Sequence, residues 1–184
     1  GVLFECASLT KSVFALLAMQ EVQAGKLDLD TPIAPLLQEE PWSNDPRFMT
    51  ITPRQCLSHG CGLPNWQAKP MDMLFDPGTK YSYSGEGYFL LQKLVEQVEG
   101  KSMNELFKER FFGAFGMESS TAYWTPAVHA AFSAGFAKDG AVNKVRDTRR
   151  VTGNAPEPNA AWSLYSYAAE YAKFLCAMMN NKGG

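Results

Sequence analysis

Apolar residues recur at helical spacing in four stretches of the chain, and residues that start or stop helices bound these stretches. The four predicted helices are residues 8–24, 86–98, 103–112 and 163–180. Gly25 and Gly100 follow the first two, and Ser102 caps the third with Glu105 completing a capping box. We expect the last helix to bury one face, made of Tyr167, Tyr171, Phe174, Leu175 and Met178.

Turn-forming residues separate these helices and leave little room for strands. Thr52 followed by Pro53 predicts a short helix that ends near Ser58. Loops are expected at residues 40–49, 65–80 and 147–158, and a hairpin at residues 134–145, around Lys138-Asp139-Gly140. The pattern therefore predicts about five helices and few strands.

Composition and charge narrow the functional classes. The chain has 184 residues, of which 46% are hydrophobic and 20% charged, as is typical of a globular domain with an apolar core. A net charge of -2 predicts no nucleic-acid partner, and the apolar runs are too short to predict a membrane span. No signal peptide is visible, and the chain begins with Gly1. The compartment, cytoplasmic or periplasmic, stays open.

Metal-ligating residues are sparse. The chain has four cysteines, which we expect to be free thiols, and two histidines. Cys56 and Cys61 do not have the spacing of a CxxC metal or redox motif. We therefore predict no metal site and no organic cofactor.

Ser8 and Lys11 stand three residues apart at the start of the first predicted helix. This spacing puts both side chains on nearly the same helix face, so the amine can reach the hydroxyl. A serine becomes a useful nucleophile when a neighbouring base takes its proton, and the helix N-terminus favours the negative charge that develops. Alternatively, Ser8 is only a helix cap and Lys11 only a lysine that extends to solvent.

Five segments, in this order, resemble the serine β-lactamase and penicillin-binding-protein-like superfamily, whose Ser-x-x-Lys motif is well known. They are residues 4–11, 25–33, 51–64, 75–85 and 160–175. They are spread along the chain from residue 4 to residue 175. The similarity is greatest to the class C-like branch of esterases, D-amino-acid peptidases and β-lactamase-like hydrolases.

The resemblance implies roles for particular residues. Ser8 would form the acyl-enzyme, Lys11 would share its proton network, and Tyr83 would act as phenolate or proton relay, with Tyr81 as the nearest rival. A tyrosine can do this only if neighbouring cations lower its pKa. The substrate-binding residues that the resemblance implies are Gly85, Trp162 and Ser163. His59 would support a turn and not act as a base.

The chain departs from the family pattern at two places. Gly85 stands where the family usually has the asparagine of a Tyr-x-Asn motif, which puts specificity for β-lactams or peptides in doubt. We find neither the family's third motif nor the N-terminal and C-terminal strands that form its central sheet. We therefore expect residues 1–184 to be a partial domain: an α-rich fragment of an α+β fold, with most of the central antiparallel sheet missing and weak or no activity by itself.

The resemblance implies a serine hydrolase that forms an acyl-enzyme on Ser8 with small esters or amides. β-Lactams are the second choice of substrate. The alternative is a catalytically silent relative that binds or assembles with another molecule. The four tryptophans could line an acyl pocket or belong to the core, and we favour only Trp162 for the pocket; they are Trp42, Trp66, Trp124 and Trp162.

Overall fold

A computed structural model describes residues 2–133, 135–142 and 157–180 of the chain. In these ranges the protein is mainly helical, with six α-helices and one two-stranded sheet. This confirms the predicted fold class. The chain divides into two compact units. We call Ser8–Met103 with Asn159–Trp162 the nucleophile unit, after the predicted nucleophile Ser8, and the remaining described residues the second unit.

Two long helices pack together in the nucleophile unit, and both were predicted. A 3-10 turn at Ala7–Leu9 leads into helix α1, Thr10–Gln23, and helix α3 spans Gly85–Glu99. Their facing apolar side chains are fully or almost fully buried: Phe14, Leu17, Leu90, Leu91 and Leu94. Gly100 ends α3 in the left-handed conformation that glycine adopts without strain.

The short helix α2, Pro53–Leu57, begins as predicted. The Thr52 hydroxyl accepts a hydrogen bond from the Gln55 amide, and the Gln55 side chain accepts one from the Thr52 amide. This capping box satisfies two amides that the first turn leaves without partners. Two 3-10 turns, Ala34–Leu36 and Pro46–Thr50, were not predicted; each has proline in its first turn.

The second unit contains the sheet. Strands β1, Phe4–Glu5, and β2, Tyr165–Ser166, are antiparallel, with Phe4 opposite Ser166. The prediction of one helix over residues 163–180 is therefore wrong at its start, because Tyr165 and Ser166 pair with a strand that is distant in sequence. The helix itself, α6, spans Ala168–Met179. It buries Tyr171 and Phe174 as expected, whereas Leu175 is exposed and Ala177 takes the third buried position.

Three further elements belong to this part of the chain. Helix α4, Met103–Phe107, continues as a π-helical turn, Lys108–Phe112, within the predicted helix. Helix α5, Pro126–Ala131, was not predicted, although Thr125 caps it and proline occupies its first position. The predicted hairpin is present in its described part, where Phe136 pairs with Val142. Residues 134 and 143–145 of that hairpin, and 147–156 of the last loop, lie outside the described residues.

Among the described residues, none of the helices combines the length and apolarity needed to cross a bilayer. The same residues contain no cluster of three or more His, Cys, Asp or Glu side chains placed to hold a metal ion.

Candidate active site

Ser8 occupies the first turn of the helix that continues as α1, and its side chain is exposed. The preceding residue, Ala7, has a left-handed backbone with φ of 45°. This conformation is uncommon for a residue with a Cβ and is often found where function fixes the backbone. The result is a solvent-accessible hydroxyl at the positive end of a helix.

Lys11 lies one turn further along α1, and only 6% of its surface is exposed. Its ammonium donates to the backbone carbonyl of Ala161 at 2.8 Å and lies 3.5 Å from Ser8 Oγ. It also lies 4.7 Å from the ring centroid of Tyr83, within the range of a cation–π interaction. A buried cation needs such partners, so Ala161 and Tyr83 fix the lysine amine beside the serine.

Tyr83 reaches the same hydroxyl from the other side. Its phenol donates a hydrogen bond to Ser8 Oγ at 2.7 Å. Burial raises the pKa of Tyr83, but hydrogen bonds with Lys11 and Ser8 and the charge of Lys11 outweigh burial and hold this pKa below its usual value. Ser8, Lys11 and Tyr83 therefore form one connected group. The rival, Tyr81, is 71% exposed.

His59 supports the segment that carries Tyr83. Its Nδ1 accepts a hydrogen bond from the Ser84 amide at 3.2 Å, and its ring packs 4.4 Å from the Tyr83 ring, centroid to centroid. Burial and the charge of Lys11 lower the pKa of His59, so the neutral imidazole needed to accept this bond is favoured. In this geometry His59 orients Tyr83, as expected for a residue that supports a turn.

The segment after Tyr83 lies against a second loop. The Gly85 amide donates to Asn65 Oδ1 at 2.9 Å. A Cβ atom at Gly85 would lie 2.7 Å from Cη2 of the Trp66 indole, a distance that real Cβ contacts do not show. Gly85 therefore lets the Trp66 ring take the position of a side chain.

Comparison with known proteins identifies the family of the chain. The family model described as Beta-lactamase matches residues 1–184, the whole chain. The chain belongs to the β-lactamase family. This confirms the resemblance seen in the five ordered segments.

Relatives of this β-lactamase-family chain are considerably longer than the chain. A probable fimbrial assembly protein FimD of Dichelobacter nodosus is 30% identical over 59% of this chain and 32% of its own length. Penicillin-binding protein 4 of Amycolatopsis lactamdurans is 30% identical over 64% of this chain and 35% of its own length. The chain thus spans about a third of the curated relatives that it matches.

A solved structure shares the fold over almost the entire chain. The D-alanine carboxypeptidase AmpC of Burkholderia cenocepacia superposes with a TM-score of 0.73 and is 25% identical. The alignment covers 96% of this chain and 49% of the carboxypeptidase.

The remaining predicted residues of this β-lactamase-family chain have different positions. Trp162 belongs to the nucleophile unit, is partly buried, and directly follows the Ala161 carbonyl that Lys11 binds. Ser163 is buried in the second unit. Their proposed contacts with substrate stay predictions. Among the other tryptophans, Trp42 is fully buried, and Trp124 packs in the apolar core of the second unit.

Two features beside the start of α3 had no clear sequence signal. Trp66, 52% exposed, was considered for an acyl pocket but not favoured. The thiols of Cys56 and Cys61 are free and buried. The neighbouring Cys56 thiol lowers the pKa of Cys61 to about 7 despite burial, while burial raises the pKa of Cys56.

Proposed function

We propose that this β-lactamase-family chain carries the nucleophile and base of a serine hydrolase, with Ser8 forming an acyl-enzyme from small esters or amides. The 2.7 Å contact between Tyr83 and Ser8, beside the Lys11 ammonium, supports this most directly. A nucleophile, a base and a group that tunes the base are the minimum for acyl transfer. Because the matched regions cover only about a third to a half of these relatives' own length, the activity is proposed for the protein at its full length.

The reaction begins with Tyr83 in its phenolate form. The phenolate takes the Ser8 proton while Oγ forms a bond to the substrate carbonyl carbon, which yields a tetrahedral oxyanion. Collapse breaks the bond to the alkoxide or amine leaving group, which takes the proton from Tyr83. Water then attacks the acyl-serine and gives a proton to Tyr83. Collapse of this second tetrahedral intermediate breaks the bond to Ser8 Oγ, which takes that proton from Tyr83, and the carboxylic acid is released. Each half-reaction therefore returns Tyr83 to its phenolate form.

Lys11 tunes this base and is not consumed. Its contacts with the Ala161 carbonyl and Ser8 Oγ suit a donor, and its charge favours the phenolate. The amide of Ser8 is a candidate donor to the oxyanion, because the first amides of a helix have no intrahelical acceptor. The expectation of weak activity for residues 1–184 by themselves stays a prediction.

Gly85 is the residue from which we rank the expected substrates. It has no side-chain amide with which to bind a substrate amide, and a tryptophan ring covers the position where a side chain would project. We therefore place simple esters first and β-lactams second.

Burst kinetics test this proposal. Mixed with p-nitrophenyl acetate, the protein should release one equivalent of p-nitrophenol rapidly and then turn over slowly, because acylation precedes deacylation. Ser8→Ala should abolish both phases. Ser12→Ala removes an exposed hydroxyl one turn further along α1 and should change neither. Turnover that survives Ser8→Ala would contradict the proposal.

The second candidate function is a catalytically silent protein that binds or assembles. The similarity to a probable fimbrial assembly protein favours it. A folded protein that shows neither burst nor turnover with a series of esters, amides and β-lactams would support this alternative over the hydrolase.

A further inference from the structure

Trp66 is an exposed tryptophan on a tightly held segment. Three hydrogen bonds join the segment Pro64–Gln67 to the start of α3. Ser84 Oγ donates to the Pro64 carbonyl at 2.9 Å, the Gly85 amide donates to Asn65 Oδ1 at 2.9 Å, and the Gln67 amide donates to a Glu86 carboxylate oxygen at 3.3 Å. These bonds lie on both sides of Trp66 in sequence and fix the backbone that carries its ring.

The Glu86 contact is a buried one. Only 8% of Glu86 is exposed, and burial raises its pKa, although the hydrogen bond from Gln67 and the charge of Lys69 oppose this rise. Ser84, which bonds Pro64, is fully buried. The support beneath Trp66 is thus solvent-excluded, whereas the indole itself is 52% exposed. A large aromatic side chain held rigidly with half its surface in water is well suited to bind an apolar group.

The backbone at Ser84 relates the direction of the Gly85 position, which the Trp66 ring occupies, to that of Tyr83. Ser84 is extended, with φ of −130° and ψ of 118°, and side chains two residues apart in an extended chain point the same way. The side-chain direction at Gly85 therefore runs parallel to that of Tyr83, about 7 Å along the chain. The Trp66 indole fills that direction, since a Cβ at Gly85 would lie 2.7 Å from its Cη2 and 2.8 Å from its Cζ2.

We infer that Trp66 is a specificity-determining residue, whose indole binds the acyl group of the substrate and selects flat, apolar acyl groups such as aryl rings. The inference rests on the proposed function. Gly85 completes the arrangement, because any larger residue would displace the ring. The substrate class is therefore an ester with an apolar acyl chain. Such an acyl chain carries no amide group, so it needs no side-chain partner at position 85.

Two esters that share a leaving group test this inference. They are p-nitrophenyl phenylacetate and p-nitrophenyl acetate, which differ by one phenyl ring on the acyl group. We define the selectivity as kcat/KM for the phenylacetate divided by kcat/KM for the acetate. The wild-type protein should prefer the phenylacetate, and Trp66→Ala should lower the selectivity about tenfold, the size expected for one good aromatic contact. Trp66→Phe should retain most of it.

Gly85→Ala provides a second, independent variant. Its methyl group would force the indole aside, so it too should lower the selectivity. In a Trp66→Ala background the ring is already gone, although the Gly85→Ala methyl would still lie 2.8 Å from the Asn65 carbonyl oxygen. That second contact should change kcat/KM for both esters alike and leave the selectivity unchanged, giving a non-additive cycle in the selectivity. Leu74→Ala, which truncates an exposed apolar side chain in the same loop, should leave the selectivity unchanged.

The outcomes separate this inference from the function on which it rests. Ser8-dependent turnover with a selectivity that Trp66→Ala does not change would overturn the inference alone. That outcome includes equal losses of kcat/KM with both esters in Trp66→Ala, which would indicate a structural role. Absence of Ser8-dependent turnover with either ester would overturn the proposed function, and this inference with it.

Discussion

The Tyr83 hydroxyl lies 2.7 Å from Ser8 Oγ, although the two residues are 75 positions apart in the sequence. Ser8 is held by the start of α1, and Tyr83 by the segment that leads into α3. The packing of α1 against α3 therefore determines whether the proposed nucleophile and the proposed base come within hydrogen-bonding distance. The apolar core of the nucleophile unit thus holds the proposed site together.

Loss of the Tyr83 hydroxyl should remove the base. For Tyr83→Phe we expect kcat for p-nitrophenyl acetate to fall about 10²–10⁴-fold, the usual contribution of a positioned general base. The ring stays, so packing against His59 is retained. Tyr81→Phe removes an exposed hydroxyl two residues away and should leave kcat unchanged. A larger loss of kcat in Tyr81→Phe than in Tyr83→Phe would show that the base is Tyr81 and that the assignment to Tyr83 is wrong.

Removal of the Lys11 charge should shift the pH dependence. A base that works as phenolate is active above its pKa, so kcat/KM should rise with pH, and the lowered pKa of Tyr83 brings this rise below pH 10. In Lys11→Met the charge that favours the phenolate is gone, and the rise should move to higher pH. Lys80→Met makes the same change in net charge at an exposed site and should not move it. A pH profile that is identical in Lys11→Met and the wild type would refute this role.

His59 should make stability depend on pH. Burial and Lys11 lower its pKa from 6.5, so the folded state binds fewer protons than the unfolded state. The stability that this group contributes is present above about pH 6.5 and is lost as pH falls through the folded-state pKa. The free energy of unfolding, measured by urea titration, should therefore fall between pH 7.5 and 5.5. The fall should be smaller in His59→Asn, because this variant lacks the imidazole that titrates. Asparagine suits the position because it tolerates the left-handed backbone found there, with φ of 58°.

His129 is the matched control for this measurement. It is the other histidine of the chain, and its side chain is exposed on α5. His129→Asn should lose stability with falling pH as the wild type does. If His129→Asn flattened the pH dependence and His59→Asn did not, the assignment to His59 would be wrong.

Local sequence signals predicted the parts of the fold that local interactions determine. Periodicity and glycine stops located α1 and α3, and the pair Thr52-Pro53 located the cap of α2. The same reasoning failed at Tyr165 and Ser166, because their partners are Phe4 and Glu5 at the other end of the chain. The strand pairing there overrides a local pattern that continues into a helix.

The candidate site likewise contains residues that local sequence signals predicted and residues that they did not. Helical spacing alone brought Ser8 and Lys11 together. Tyr83 could be assigned only through the resemblance to a family, because no local pattern relates it to Ser8. The Ala161 carbonyl that binds Lys11 has no sequence signal, since every residue has such a group. The close approach of Trp66 to Gly85 likewise depends on the packing of two separate loops.

The most direct test is covalent labelling of the nucleophile. We would treat the protein with a fluorescent fluorophosphonate and map the adduct by peptide mass spectrometry, with Ser8→Ala and Ser12→Ala as paired variants. The label should lie on Ser8, disappear in Ser8→Ala, remain in Ser12→Ala, and form more slowly in Tyr83→Phe. A folded protein that is never labelled on Ser8, or that is labelled equally well in Ser8→Ala, would contradict the account.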